Sequence, residues 1–234
     1  LSFSTPLLFG QQNLFNIPSG VITEKGQFFY QNQTNYYPLN GLETKNHFVF
    51  GLTKRLEVGF NVLNTAMIFK ESGLRAIHTN IPGSEPLTNI VVLTAQGKII
   101  KHKSFHVTLG TQMGASARTK SRYVHFAQLH YGLFVWKPKK QTLISIGPYI
   151  ANQVMAGDGS PLGIMAGFEV PVYRDIIIAM GDSKIGNNRL STTVIGGAIQ
   201  VSKGVQICLG ALIPTTIGYQ NKWGAVFELN LYNF

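Results

Sequence analysis

The chain has one cysteine, Cys208, in 234 residues, so no internal disulfide can staple it and cysteine pairing cannot place it in a redox compartment. Acidic residues are scarce: ten Asp and Glu stand against 20 Lys and Arg, and only 13% of residues are charged. That is about half the usual share, thin cover for a water-facing surface. A long helical apolar run is missing as well. The nearest stretch, 204–221, is broken by Gly204, Gly210, Pro214 and Gly218, and its apolar residues Val205, Ile207, Leu209, Ala211 and Ile213 alternate as in a strand. There is no glycine-rich phosphate loop, no dinucleotide fingerprint and no metal-ligand spacing of His, Cys or carboxylates, so neither cofactor nor metal is expected. The opening LSFSTPLLFG carries no basic segment ahead of an apolar run, as expected of a mature, processed chain without a signal peptide.

What is present is alternation. In FVFGLTKRLEVGFNV, residues 48–62, Phe48, Phe50 and Leu52 fall on even positions, and so do Val58, Phe60 and Val62. Strand side chains alternate between faces, so this is a hairpin with one apolar face; a three-residue loop, 54–56, pairs Phe50 with Phe60 and Leu52 with Val58. With 44% hydrophobic residues the chain is not disordered, and its length suits one domain. Twelve segments have strand character: 21–37, 43–53, 57–69, 88–100, 104–116, 122–135, 141–155, 162–172, 176–185, 190–201, 205–214 and 221–233. The connections KRL, KPKKQ, YRD and SKG are short and basic; those on the other side vary more, the longest being ESGLRAIHTNIPGSEPLT. The polar face is rich in Gly, Thr, Ser, Asn and Gln, and nearly all Lys and Arg sit in turns and loops. An even number of strands with these connections predicts an all-β fold: an antiparallel up-and-down transmembrane β-barrel of about 12 strands, apolar face outward. Residues 21–234 form the barrel domain. Residues 1–20 form an irregular segment that enters the barrel, caps its short-turn end or lies as an apolar tail against the membrane.

The closing stretch WGAVFELNLYNF resembles the aromatic C-terminal strand of bacterial outer-membrane β-barrels, and NLFNIPSGVITEKGQFFYQ and MGDSKIGNNRLSTTVIGG are similar to small, functionally unassigned members of that class. Counting back in twos from Phe234 gives Tyr232, Asn230, Glu228 and Val226, whereas the apolar stripe is Trp223, Ala225, Phe227, Leu229 and Leu231; a bulge near the end or an atypical signal would account for this. The resemblance implies a bacterial outer-membrane location, with short periplasmic turns, longer extracellular loops, and lipid bilayer, lipopolysaccharide or detergent as partners. It carries over no catalytic residue, and the oligomeric state stays open.

With the stripes outward, the lumen receives His47, Glu57, His106, Gln128, His130, Glu169 and Glu228, together with Asn61, Gln112, Tyr149, Gln153, Gln200, Gln206 and Asn230. Such groups could select a cation, relay a proton or hold a metal, and they could equally be a hydrogen-bonded filling. Lys54, Arg55, Lys137, Lys139, Lys140, Arg174 and Lys203 form a basic rim at the short-turn end; Lys70, Arg75, Arg118, Lys120, Arg122, Lys184, Arg189 and Lys222 form one toward the loops. These rims suit small anionic solutes or lipid phosphates. Aromatic side chains lie in the apolar stripes, leaving no basic face with exposed rings for nucleic acid. A passive channel for small polar or anionic solutes follows first, and a closed structural or surface-interaction barrel with a filled lumen is the alternative. The third reading, lipid modification, has only His102-Lys103-Ser104 behind it, without an orienting group or oxyanion hole, so no enzymatic activity is expected.

Overall fold

The computed structural model describes residues 13–38, 41–70, 73–76, 90–117, 124–139, 142–215 and 223–232. The strands are β1 (Phe28–Tyr37), β2 (Gly41–Gly51), β3 (Leu56–Lys70), β4 (Gly73–Ala76), β5 (Ile90–Lys101), β6 (Phe105–Ala117), β7 (Val124–Lys139), β8 (Thr142–Ala151), β9 (Gly159–Tyr173), β10 (Ile177–Asn188), β11 (Thr192–Ser202), β12 (Val205–Pro214) and β13 (Gly224–Tyr232), with one short helix, α1 (Gln153–Ala156). All pairings are antiparallel, and the sheet closes because β1 pairs with both β2 and β13 while β2 pairs with β3. Twelve strands make the wall. The thirteenth, β4, folds back on the end of β3 and lies within the connection expected to be the longest loop. Closure leaves no unpaired edge in the twelve-stranded wall among the described residues.

Large apolar side chains stand exposed on the outside of every wall strand from β5 to β9, among them Leu93, Leu109, Phe134, Ile146 and Ile164, and again at Ile195, Leu209 and Phe227. Exposed rings cluster at both ends: Phe28, Trp136 and Tyr173 near the short turns, Tyr36, Phe126 and Trp223 near the loops. An apolar ring flanked by aromatic girdles is the outer surface of a barrel in lipid. Among the described residues no helix is long and apolar enough to cross a membrane.

The first hairpin differs from expectation in register. Phe48 pairs with Phe60 and Phe50 with Val58, around a four-residue turn in which Leu52 and Thr53 both donate to the carbonyl of Leu56. Stacking of Phe48 on Phe60, centroids 4.6 Å apart, accompanies this register. The slip is an even number of positions, so both stripes keep their face. The first strand begins at Phe28 rather than at residue 21, because residues 13–27 run inside the barrel. β13 shows no register shift through Tyr232, so Val226, Glu228, Asn230 and Tyr232 point inward without a bulge; Phe234 lies outside the described residues.

A larger correction concerns β7. Leu129, Tyr131, Leu133 and Val135, expected to face lipid, are buried in the lumen, and Gln128 and His130, expected inside, occupy the outer face. The reason is what fills the barrel: an apolar segment inside demands an apolar wall. Leu14, Phe15 and Ile17 are at most 1% exposed and belong to one core with Leu133, Val135, Met165, Met180 and Val194.

Candidate functional site

The lumen is built around residues 13–27. An antiparallel bridge between Asn13 and Pro18, with Leu14 donating to the Ile17 carbonyl at 2.9 Å, folds the chain into a tight hairpin whose apex sits among the mid-barrel side chains. From there the chain descends to the short-turn end, where Lys25 bridges Gly51 and Gly26 donates to the Gly51 carbonyl. The wall is shaped to admit it. A Cβ at Gly167 would overlap the Leu14 side chain, and Gly20, at φ +77°, packs where a side chain would strike Val135.

Seven buried polar side chains of the wall hold this segment: Gln31, Gln33, Glu57, Gln96, His106, Thr108 and Asp182. Asp182 Oδ2 accepts from the backbone N–H groups of Asn16 and Ile17, the latter at 3.0 Å. Asn13 donates to Gln31 at 2.7 Å. His106 Nε2 and Thr108 Oγ1 each lie 2.9 Å from the Gly20 carbonyl. Glu57 accepts from Thr23 N at 2.6 Å and from Gln96 at 3.0 Å; Gln96 also donates to the Val21 carbonyl at 2.8 Å and accepts from the Tyr131 hydroxyl at 2.8 Å. Glu57 and His106 are thus joined through the segment they hold. Glu228 is fully buried on β13 beside Gln31 and Cys208, and Glu169 lies within electrostatic reach of Lys137. Asp182 and Gln96 were not among the expected site residues, although Met180, Asp182 and Lys184 share one face by their spacing of two.

Above the apex a cavity of about 80 Å³ faces the loop side. Its floor is the hairpin itself, through Phe15, Asn16 and Pro18; Gln33, Lys45, His47 and Lys184 supply its polar side, and Leu129, Met155 and Met165 its apolar side. Met155 comes from α1, which Asn152 caps by accepting from Met155 N at 3.3 Å. Gln153, expected inward, instead lies on this helix and donates to Asp158. Lys184, counted with the loop-side rim, also lines the cavity.

Lys54, Arg55, Lys139, Arg174 and Lys203 are exposed at the short-turn end, and Arg174 lies over the Tyr173 ring at 5.2 Å. Lys137 is half-buried rather than exposed with that rim, and lies within electrostatic reach of Glu169. Lys140, Arg118, Lys120, Arg122 and Lys222 lie outside the described residues. His102 stacks on Phe105, with centroids 4.7 Å apart, and makes no hydrogen bond to Ser104 among the described residues. The His–hydroxyl contact that does exist is elsewhere: Thr111 Oγ1 lies 2.8 Å from His130 Nδ1 on the outer face, mid-strand. In lipid each group satisfies the other. Thr111→Val or His130→Leu alone should therefore cost roughly 1–3 kcal/mol, and the double variant much less than their sum, in unfolding from lipid vesicles. Equal and additive losses would mean that the pair does not face lipid.

Among the described residues no cluster of three His, Cys, Asp or Glu is arranged to hold a metal. No protein-family model and no curated protein matches the chain. Similar solved structures include outer membrane phospholipase A from Escherichia coli, 9% identical with TM-score 0.49 over 91% of this chain and 98% of that one. The Salmonella typhi outer membrane phospholipase dimer with bound calcium is 10% identical, TM-score 0.48, over 99% and 96%. A Pseudomonas aeruginosa FadL homologue is 9% identical, TM-score 0.43, over 98% and 96%. At such identities no residue role or activity passes from these proteins to this chain.

Proposed function

We propose that this protein is an outer-membrane β-barrel for small polar or anionic solutes, open as a vestibule from the loop side and closed toward the short turns by its own N-terminal hairpin. The observation that carries this reading is that the obstruction is a chain segment docked into the lumen, not a filling grown from the wall. It is held by side-chain hydrogen bonds from Asp182, His106, Thr108, Gln96 and Glu57. A segment so held can withdraw as a unit. It does so at a cost: burial of Leu14, Phe15 and Ile17 alone is worth roughly 1.5–3 kcal/mol each. At rest the barrel is therefore shut, and passage needs something that offsets this burial.

The same burial favours a second reading, a permanently closed structural barrel. Planar-bilayer conductance separates the two. The intact protein should be silent, and a version lacking residues 1–19 should pass steady current with an anion-biased reversal potential under a salt gradient. Silence from the deleted version, shown to be folded, would leave the closed barrel and remove the solute pathway.

A further inference from the structure

We propose that the floor of the loop-side cavity binds one small oxyanion, of the phosphate or carboxylate class, between the ammonium groups of Lys45 and Lys184 and beside Asn16. The site deepens the solute reading above and rests on it for the side from which the anion arrives. Three observations converge on it.

The first is the lining. Two lysines and His47 face a space of about 80 Å³, and no Asp or Glu lines it. Glu43 and Asp182 stand behind. Glu43 lies 3.7 Å from Lys45 Nζ, while Asp182 spends Oδ2 on the hairpin backbone, receives no hydrogen bond at Oδ1 and acts on Lys184 through space only. Among the described residues no ion pair joins Lys184 to a carboxylate. Two like charges in one small cavity repel, and an anion between them removes that repulsion.

The second is Asn16. Its Oδ1 accepts from Gln33 Nε2 at 3.0 Å and from Lys45 Nζ at 3.1 Å, which fixes the orientation of the amide because Nδ2 cannot take either place. Nδ2 is thereby a buried donor without an acceptor. Leaving such a donor unpaired costs about 1–3 kcal/mol, and because Nδ2 is closed off from solvent, an oxyanion on the floor supplies the missing acceptor as the Asn16 amide turns toward it.

The third is size. One water needs about 10–15 Å³ of such space, so the cavity admits several waters or one small oxyanion in their place. The hairpin supplies Asn16 and the barrel supplies both lysines, so the bound anion joins the plug to the wall and is itself a brace on the closed form.

The test is calorimetric titration of the full-length protein in nonionic detergent, with inorganic phosphate in one arm and acetate in the other. One saturable site per chain is expected, with affinity at least tenfold weaker in Lys45→Met and in Lys184→Met and unchanged in Lys203→Met, which removes an exposed turn lysine. Lys45→Arg should retain binding, which guards against a variant that merely fails to fold. The tighter of phosphate and acetate assigns the class. Absence of binding by both, or equal binding by the two cavity variants and the parent, would overturn the site. Conductance after hairpin deletion is read separately, so a protein that conducts but binds no anion loses this site and keeps its pathway. One that binds but never conducts keeps the site and loses the pathway.

Discussion

Leu209→Arg should destabilise the barrel by roughly 2–4 kcal/mol when unfolding is followed in phospholipid vesicles, because the side chain sits mid-strand on the outer face, where an arginine meets hydrocarbon. Leu209 is 60% exposed, opposite Gly197 and Phe227 of the adjacent strands, so truncating its side chain gives up little buried area. On a surface facing water the same change would be nearly free, within about 0.5 kcal/mol, since an exposed leucine gives up little and arginine is well solvated. Sign and size together therefore report the solvent. Leu93, at 72% exposure on β5, offers an independent position on another side of the wall. A cost below about 0.5 kcal/mol at both positions would mean that the apolar ring is covered by something other than lipid.

The architecture was legible because its signal repeats. Most wall strands carry a period of two, and each of the twelve expected segments overlaps one of the twelve wall strands. Register in the first hairpin was less legible, since pairings that differ by two residues keep the same faces and both place a phenylalanine opposite Phe60; the observed one goes with ring contacts that continue onto β1, Tyr30 with Phe48 and Phe28 with Phe50, which are invisible along one hairpin. β7 inverted for a different reason. Its sequence is apolar on both faces, with Leu129, Tyr131, Leu133 and Val135 on one and Phe126, Phe134 and Trp136 on the other, so alternation cannot say which face meets lipid. The decision lies with Leu14, Phe15 and Ile17, more than a hundred residues away, which need an apolar wall to lie against.

The lumen was half legible for related reasons. Glu57, His106, Glu169 and Glu228 sit where inward positions place them. The partners of Glu57 and His106 did not follow, because backbone N–H and carbonyl groups of residues 20–23 carry no side-chain signature. Lys45 was the most informative omission, and Lys184 was expected in the loop-side rim rather than on the cavity. Glu43, Lys45 and His47 follow one another at spacing two inside a strand, as do Asp182 and Lys184. Charged residues on one face of a membrane strand must go to the lumen, so the pattern was present and outweighed only by the habit of assigning lysine to loops.

Phe15→Asp should convert a silent barrel into a conducting one while leaving the strand hydrogen bonds intact. Phe15 is 1% exposed at the hairpin apex, next to Gly210; a carboxylate in the place of its ring is unpaired among apolar core neighbours, and reaching Lys45 or Lys184 across the cavity requires it to leave that place. Burying an unpaired charge costs several kcal/mol, and losing the phenyl group from a packed core costs a further 3–5 kcal/mol. Their sum is comparable with everything the apex gains by docking. The hairpin can escape this by leaving the lumen, whereas the barrel strands cannot, since their pairing closes on itself without help from residues 13–27. Expected together are single-channel steps in a planar bilayer, loss of amide protection at Asn16, Ile17 and Thr23, and unchanged protection in β10 and β12. Phe15→Leu, which keeps the apolar contact, should stay silent. If Phe15→Asp is folded, has a released hairpin and still passes no current, the lumen is closed by its own wall and the hairpin is not the gate.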